Sequence, residues 1–170
     1  MAPPRSIVLS NRHPRLRFRR AEVARVIATL EHNLSALRLQ PTVIPSGELS
    51  VVFLTDPALA QLHADFMADP SPTDVITFGG DPAAGLAGEI CLSVDTAAAY
   101  AARHRRDFAA ELTLYLVHGW LHLAGYDDRH PAAKRRMRAA EKRALGLLRT
   151  HRAFPAFRLA APPRRSSGRA

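Results

Sequence analysis

His118 and His122 lie four positions apart in the segment Leu114-Tyr-Leu-Val-His-Gly-Trp-Leu-His-Leu-Ala-Gly-Tyr-Asp-Asp128. On a helix, residues at i and i+4 stack on one face, so two imidazoles at this spacing can grip one metal ion. The flanking residues Leu112, Leu114, Leu116, Val117, Leu121 and Leu123 are apolar, and the helix is expected to be mostly buried. A pair of core histidines satisfied by their neighbours is the bland alternative. Gly125 can adopt the left-handed conformation that ends a helix. The turn Tyr126-Asp-Asp-Arg-His130 then carries oxygen and nitrogen donors back towards the pair. Two histidines and a third ligand leave an open coordination position, as in a catalytic zinc site. Asp128 and His130 are the candidates for that third ligand.

The position after the first histidine is equally informative. In the HExxH signature of zinc peptidases a glutamate there acts as general base. This chain has Gly119. A peptidase of the usual kind would lack its base, so either the base comes from elsewhere or the reaction differs.

The elements that must position these residues follow from the rest of the chain. Its 170 residues fit one domain, and 47% hydrophobic content is ample for a core. A strand is expected near Ser6–Ser10, a helix over about Arg19–Leu39, and a strand over Glu48–Thr55. A helix opening at Pro57 and running over Ala58–Ala68 comes next. Strands over Thr73–Phe78 and Gly88–Val94 flank a glycine-rich turn, which suggests an antiparallel pair. Asp95 or Thr96 can cap a helix running to about His104, and Asp107 caps the helix that bears the histidine pair. A last amphipathic helix spans about Pro131–Leu148, with Met137, Ala140, Ala144, Leu145 and Leu148 on its apolar side. The order predicts an α+β domain with a mixed sheet of about four strands. The domain is expected over residues 1–150, and the Arg-, Pro- and Ser-rich residues 151–170 are expected to form a basic, disordered tail.

The single cysteine, Cys91, excludes an internal disulfide framework and reads as a buried thiol. Arg5 is followed by no long apolar stretch, so no signal peptide is expected, and no run reaches the roughly 18 apolar residues of a membrane helix; a cytoplasmic location is expected. The formal net charge of +9 favours a polyanionic partner, with nucleic acid first. An arginine-rich composition, in which Lys134 and Lys142 are the lysines, also contributes to that charge.

The segment His118-Gly-Trp-Leu-His-Leu-Ala-Gly-Tyr-Asp127 closely resembles the signature of the YbeY family of bacterial endoribonucleases and rRNA maturation factors. Three further stretches resemble that family in the same order. They are Pro72-Thr-Asp-Val-Ile-Thr-Phe78, Gly88-Glu-Ile-Cys-Leu-Ser93 and Glu111-Leu-Thr-Leu-Tyr-Leu-Val-His118. Together the resemblance covers roughly Ile7–Leu148. It implies a zincin-like α+β fold, one zinc ion per chain, and cleavage of single-stranded RNA. It further implies a role in 3′-end maturation of small-subunit rRNA and in ribosome quality control, with rRNA and the small subunit as partners.

Two departures from the family pattern stand out. The family's third histidine ligand is replaced by Asp128, whose oxygen is an acceptable zinc ligand at about 2.0–2.2 Å. By this correspondence His118, His122 and Asp128 are the expected metal-binding and catalytic residues, with His130 the substitute. Many family members carry an arginine, thought to engage RNA, six positions before the threonine; this chain has Met67.

Other residues carry weaker expectations. Glu111 lies two helical turns before His118 and is a candidate for orienting a neighbouring group, or a solvent-facing glutamate. Asp127 is expected to fix the turn and Tyr126 to pack against it. Thr73 and Asp74 are candidates for the cleft edge. His32, His63 and His104 read as surface residues. The arginines within 12–20, 103–106 and 135–149 are candidate rRNA contacts. Two rival functions remain, a metallopeptidase and a ribosome-assembly factor with little catalysis.

Overall fold

The computed structural model describes residues 5–39, 45–67 and 73–163. Its main sheet has the strand order β1-β3-β5-β4, formed by β1 (Ile7–Asn11), β3 (Glu48–Leu54), β5 (Leu86–Ser93) and β4 (Val75–Gly79). β1, β3 and β5 run parallel, and β4 pairs antiparallel with β5. Parallel neighbours need crossover connections. α1 (Arg20–His32) and the short α2 (Leu34–Leu37) cross from β1 to β3, and α3 (Asp56–Met67) leads out of β3. α4 (Val94–His104), α5 (Phe108–Leu123) and α6 (Pro131–Thr150) follow the sheet. The mixed four-stranded α+β architecture is the expected one.

Side chains alternate across the sheet. Val51, Phe53, Ile90 and Leu92 enter the main core with α1, α5 and α6. Val52, Leu54 and Cys91 face the other way, against Leu59 of α3 and Ile76 of β4. Burial and the nearby Glu89 carboxylate push the Cys91 thiol up to about 12, so it is an inert packing group as expected.

α5 is the central helix. Asp107 caps it by accepting a hydrogen bond from the Ala110 backbone N–H at 2.8 Å, as expected. α4 is capped instead by Ser93, two or three positions ahead of the expected caps; its hydroxyl accepts from Thr96 N–H at 3.0 Å. Gly119 lies against the sheet. A Cβ there would collide with Ile90 Cγ2 and stand 3.1 Å from Val75 Cγ1. Glycine is what lets α5 descend onto β4 and β5.

One expectation needs correction. Residues 151–163 do not form a free tail. β6 (Arg158–Leu159) pairs antiparallel with β2 (Leu16–Arg17), making a second, two-stranded sheet. Phe157 is buried between Phe18 and Phe53, with ring centroids 5.6 and 5.5 Å away. Arginine and proline content pointed to disorder, but Ala153 and Phe157 bury apolar surface in the main core and anchor the segment. Residues 164–170 of the expected tail lie outside the described residues.

Candidate metal centre

α5 ends in a Schellman turn. Gly125 has φ +96°, its N–H donates to His122 O at 2.9 Å, and Tyr126 N–H donates to Leu121 O at 3.0 Å. The reversal places the Tyr126 carbonyl 3.0 Å from His122 Nδ1. Asp127 then fixes the next turn, accepting from the backbone N–H of Asp128 at 2.8 Å and of Arg129 at 3.2 Å. Its side chain also takes the Arg129 guanidinium at 3.0 Å. These bonds hold the Asp127 carboxyl below the usual range, those from Arg129 foremost. The cap that ends the helix thus also aims Asp128 back at the histidines.

The result is a convergence of donors. The Nε2 atoms of His118 and His122 are 2.9 Å apart. Asp128 reaches His118 Nε2 at 3.6 Å and His122 Nε2 at 3.8 Å. One ligand atom from each of the three residues lies within 4.8 Å of the others. Both Nδ1 atoms are already engaged, His122 by the Tyr126 carbonyl and His118 by Glu141 Oε1 at 2.6 Å. An Nδ1 hydrogen bond to a carboxylate or carbonyl fixes the ring and its tautomer, leaving Nε2 as the ligand atom. This donor set fits a divalent cation of the zinc type. His130 is outside the group: it is exposed and precedes Pro131 as the N-cap of α6.

The electrostatics of the pair are uneven. Burial disfavours the charged form of His118, but the Glu141 hydrogen bond and charge, with Asp74 and Asp128 beyond, outweigh it and hold its pKa above the ordinary value. Burial lowers the pKa of His122, and the neighbouring His118 lowers it further.

Glu141 is a residue that motif reading misses. It lies 23 positions from His118, on a different helix. A signal was nevertheless present: Glu141 is the one acidic residue of α6, set beside the apolar stripe of Met137, Ala140 and Ala144. Glu111, the position considered for such support, is buried but pairs with Arg106 at 3.9 Å. Burial raises its carboxyl pKa against the pull of Arg106.

Two clefts meet at the centre. The first, of about 510 Å³, is lined by His118, Asp128, Glu141, Thr73, Asp74 and Glu111 among others. The second, of about 520 Å³, is lined by His122, Asp128, Thr73, Tyr126 and His63 among others. Asp128 and Thr73 line both. The expectation that Thr73 and Asp74 edge the cleft holds. His32 and His104 are exposed as expected, whereas His63 is half-buried. Tyr126 is half-buried and packs against the main core. Met67 ends α3, one helical turn beyond His63, which lines the second cleft.

Several arginines serve the fold directly. Arg17 donates to the carbonyls of Pro14 and Leu16, Arg20 to Leu9, Arg25 to His151 and Arg143 to Leu37. Among the described residues no helix is long and apolar enough to cross a membrane.

Comparison with known proteins gives a family and a fold. The family model described as Endoribonuclease YbeY matches residues 9–149. An Endoribonuclease YbeY from Chlamydia pneumoniae is 34% identical over 156 residues, covering 87% of this chain and 94% of the relative. One from Anaeromyxobacter sp. is 36% identical over 139 residues, covering 80% of this chain and 68% of the relative. A Thermotoga maritima protein solved in solution shares the fold with a TM-score of 0.53 at 20% identity, covering 86% of this chain and 94% of that one.

Proposed function

The chain belongs to the endoribonuclease YbeY family, and from that membership we propose that it is a metal-dependent endoribonuclease of single-stranded RNA. Its substrate is ribosomal RNA, its setting the cytoplasm, and its task the maturation of the small-subunit 3′ end together with ribosome quality control. His118, His122 and Asp128 hold one zinc ion and are the catalytic residues. The observation that carries this reading is the convergence of their donor atoms at the junction of two open clefts. A strand lying in both clefts presents an internal phosphodiester to the centre, which suits an endonuclease.

A zinc ion held by His118, His122 and Asp128 would supply Lewis acidity towards water and phosphoryl oxygen at this centre. The protein's own residues do the positioning. Glu141 and the Tyr126 carbonyl hold the two imidazoles with Nε2 towards the centre. Asp127 and Gly125 hold the turn that presents Asp128. Glu141 also accepts a hydrogen bond from His118 Nδ1–H, which in the neutral ring places the proton on Nδ1 and leaves Nε2 as the ligand nitrogen.

The metallopeptidase alternative has little support. Gly119 stands where the base glutamate would be, and its contact with Ile90 and Val75 leaves no room for a side chain. The test is direct. Purified protein is analysed for metal and assayed on single-stranded RNA, duplex RNA and casein, beside His118→Ala and Asp128→Ala. About one zinc per chain and cleavage of single-stranded RNA alone, both lost in the variants, support the reading. Cleavage that persists in both variants or under chelation rules out this centre. RNA binding without cleavage by the metal-loaded protein favours the assembly-factor alternative.

A further inference from the structure

The nuclease reading uses only part of the first cleft. Its lining also includes Tyr100 on α4 and Lys134 and Arg138 on α6. Tyr100 is a large ring at the surface, 38% exposed. Two neighbours hold the ring in place. His104, one turn on, stacks with it at a centroid distance of 4.1 Å and an interplanar angle of 33°. The Arg106 guanidinium lies 5.6 Å from the ring centroid and is anchored 3.9 Å from buried Glu111. An aromatic ring fixed in this way loses little rotamer freedom on binding a partner.

Lys134 and Arg138 sit one helical turn apart, both exposed, and neither forms an ion pair among the described residues. This sets them apart from the arginines bonded to backbone carbonyls. The same cleft carries Asp74, Glu111 and Glu141. Those carboxylates repel phosphate, so within the cleft a phosphate is stabilised at the α6 cations. The uncharged base is then free to meet Tyr100.

We propose that Tyr100, Lys134 and Arg138 form a nucleotide subsite on the His118 side of the centre, with the base stacked on Tyr100 and its flanking phosphate against Lys134 and Arg138. The proposal rests on the nuclease reading and adds a source of strand selectivity to it. A base in a duplex has both faces covered by its neighbours and cannot stack on a side chain without leaving the helix. Stacking is tolerant of base identity, because every base presents a π-face. The subsite therefore selects single strands rather than a sequence.

The test uses the full chain, treated with chelator, and a short single-stranded RNA carrying 2-aminopurine. Wild type and Tyr100→Phe are expected to quench the fluorophore. Tyr100→Ala is expected to lose the quench and bind about five- to a hundredfold more weakly. A Lys134→Gln/Arg138→Gln variant is expected to keep the quench at saturation while its salt slope falls by about one to two units. With metal restored, Tyr100→Ala raises KM and leaves kcat nearly unchanged. Quenching that survives in Tyr100→Ala, or wild-type binding without quenching, overturns the subsite. Quenching in a protein that cleaves no RNA upholds the subsite and removes the nuclease reading instead.

Discussion

His13 and His118 both bond a carboxylate, yet they serve opposite ends. His13 Nε2 meets Asp95 at 3.0 Å, and its Nδ1 accepts the backbone N–H groups of Arg15 and Leu16 at 3.2 and 3.1 Å. Its side chain is 2% exposed. Every lone pair and proton of that ring is committed to holding β2 beside the start of α4. His118 gives only Nδ1 to Glu141, and its Nε2 faces His122 and Asp128 in an open cleft. A histidine–carboxylate pair is therefore a metal support only when the second nitrogen is left over and other donors converge on it. In the first region the pair completes the fold; in the second it prepares a ligand.

The widest separation between the two regions is expected from paired alanine substitutions. His118→Ala should abolish metal retention and RNA cleavage, by elemental analysis and assay, while lowering the urea stability of the metal-free protein less than His13→Ala does. His13→Ala should keep the metal and lose about 2–4 kcal/mol, because two backbone donors and Asp95 lose their partner. Metal loss in His13→Ala would erase the distinction.

The next effect concerns the structural region alone. β2, which His13 orients, pairs with β6, and Phe157 anchors that strand to the core. Phe157→Ala should cost about 3–5 kcal/mol. Thermal unfolding with zinc content followed in parallel would show whether the two regions are independent.

Glu141→Gln tests the functional pair more gently. Metal affinity should fall about 10- to 100-fold by competition with a chelator, with the fold intact. An unchanged affinity would reduce Glu141 to a packing group.

The smallest predicted effect is a shift in pH dependence. Metal needs an unprotonated His118, and Glu141 holds the pKa of that ring above the ordinary histidine value. Affinity should therefore decline with falling pH from above that value, and in Glu141→Gln the decline should begin at lower pH. For the metal-free protein the sign is reversed. The His118–Glu141 bond stabilises the fold fully below the unfolded histidine pKa, and this contribution is lost as pH rises through the raised folded value. Urea titrations of metal-free protein across this range would measure it.

How much of this the sequence reveals depends on the range of the interaction. His118, His122, Gly125 and Asp128 are close in the chain, and helix periodicity plus one cap geometry bring them together. The sheet strands announce themselves by composition, and their alternation sorts the two faces. Glu141 escapes because its partner lies on another helix, and no local pattern says how α5 and α6 dock. The β2–β6 pair escapes for a related reason. Each strand is two residues long, too short for a period, and the link depends on Phe157 meeting Phe18 and Phe53 across the molecule. His13 gives no sign of its role because its partners are two amides and an acid far along the chain.

Gly119 has a bearing on the routes open to descent by mutation. A protein with this histidine spacing differs from a peptidase signature by one residue, and in a table of sequences the two look like neighbours. The contact of Gly119 with Ile90 and Val75 separates them. A glutamate at 119 could enter only if Ile90 and Val75 gave way or α5 lifted off the sheet, so that single change carries a packing cost from the outset. The tight seat of one helix thus sets this chain against chemistry that needs a carboxylate at that position.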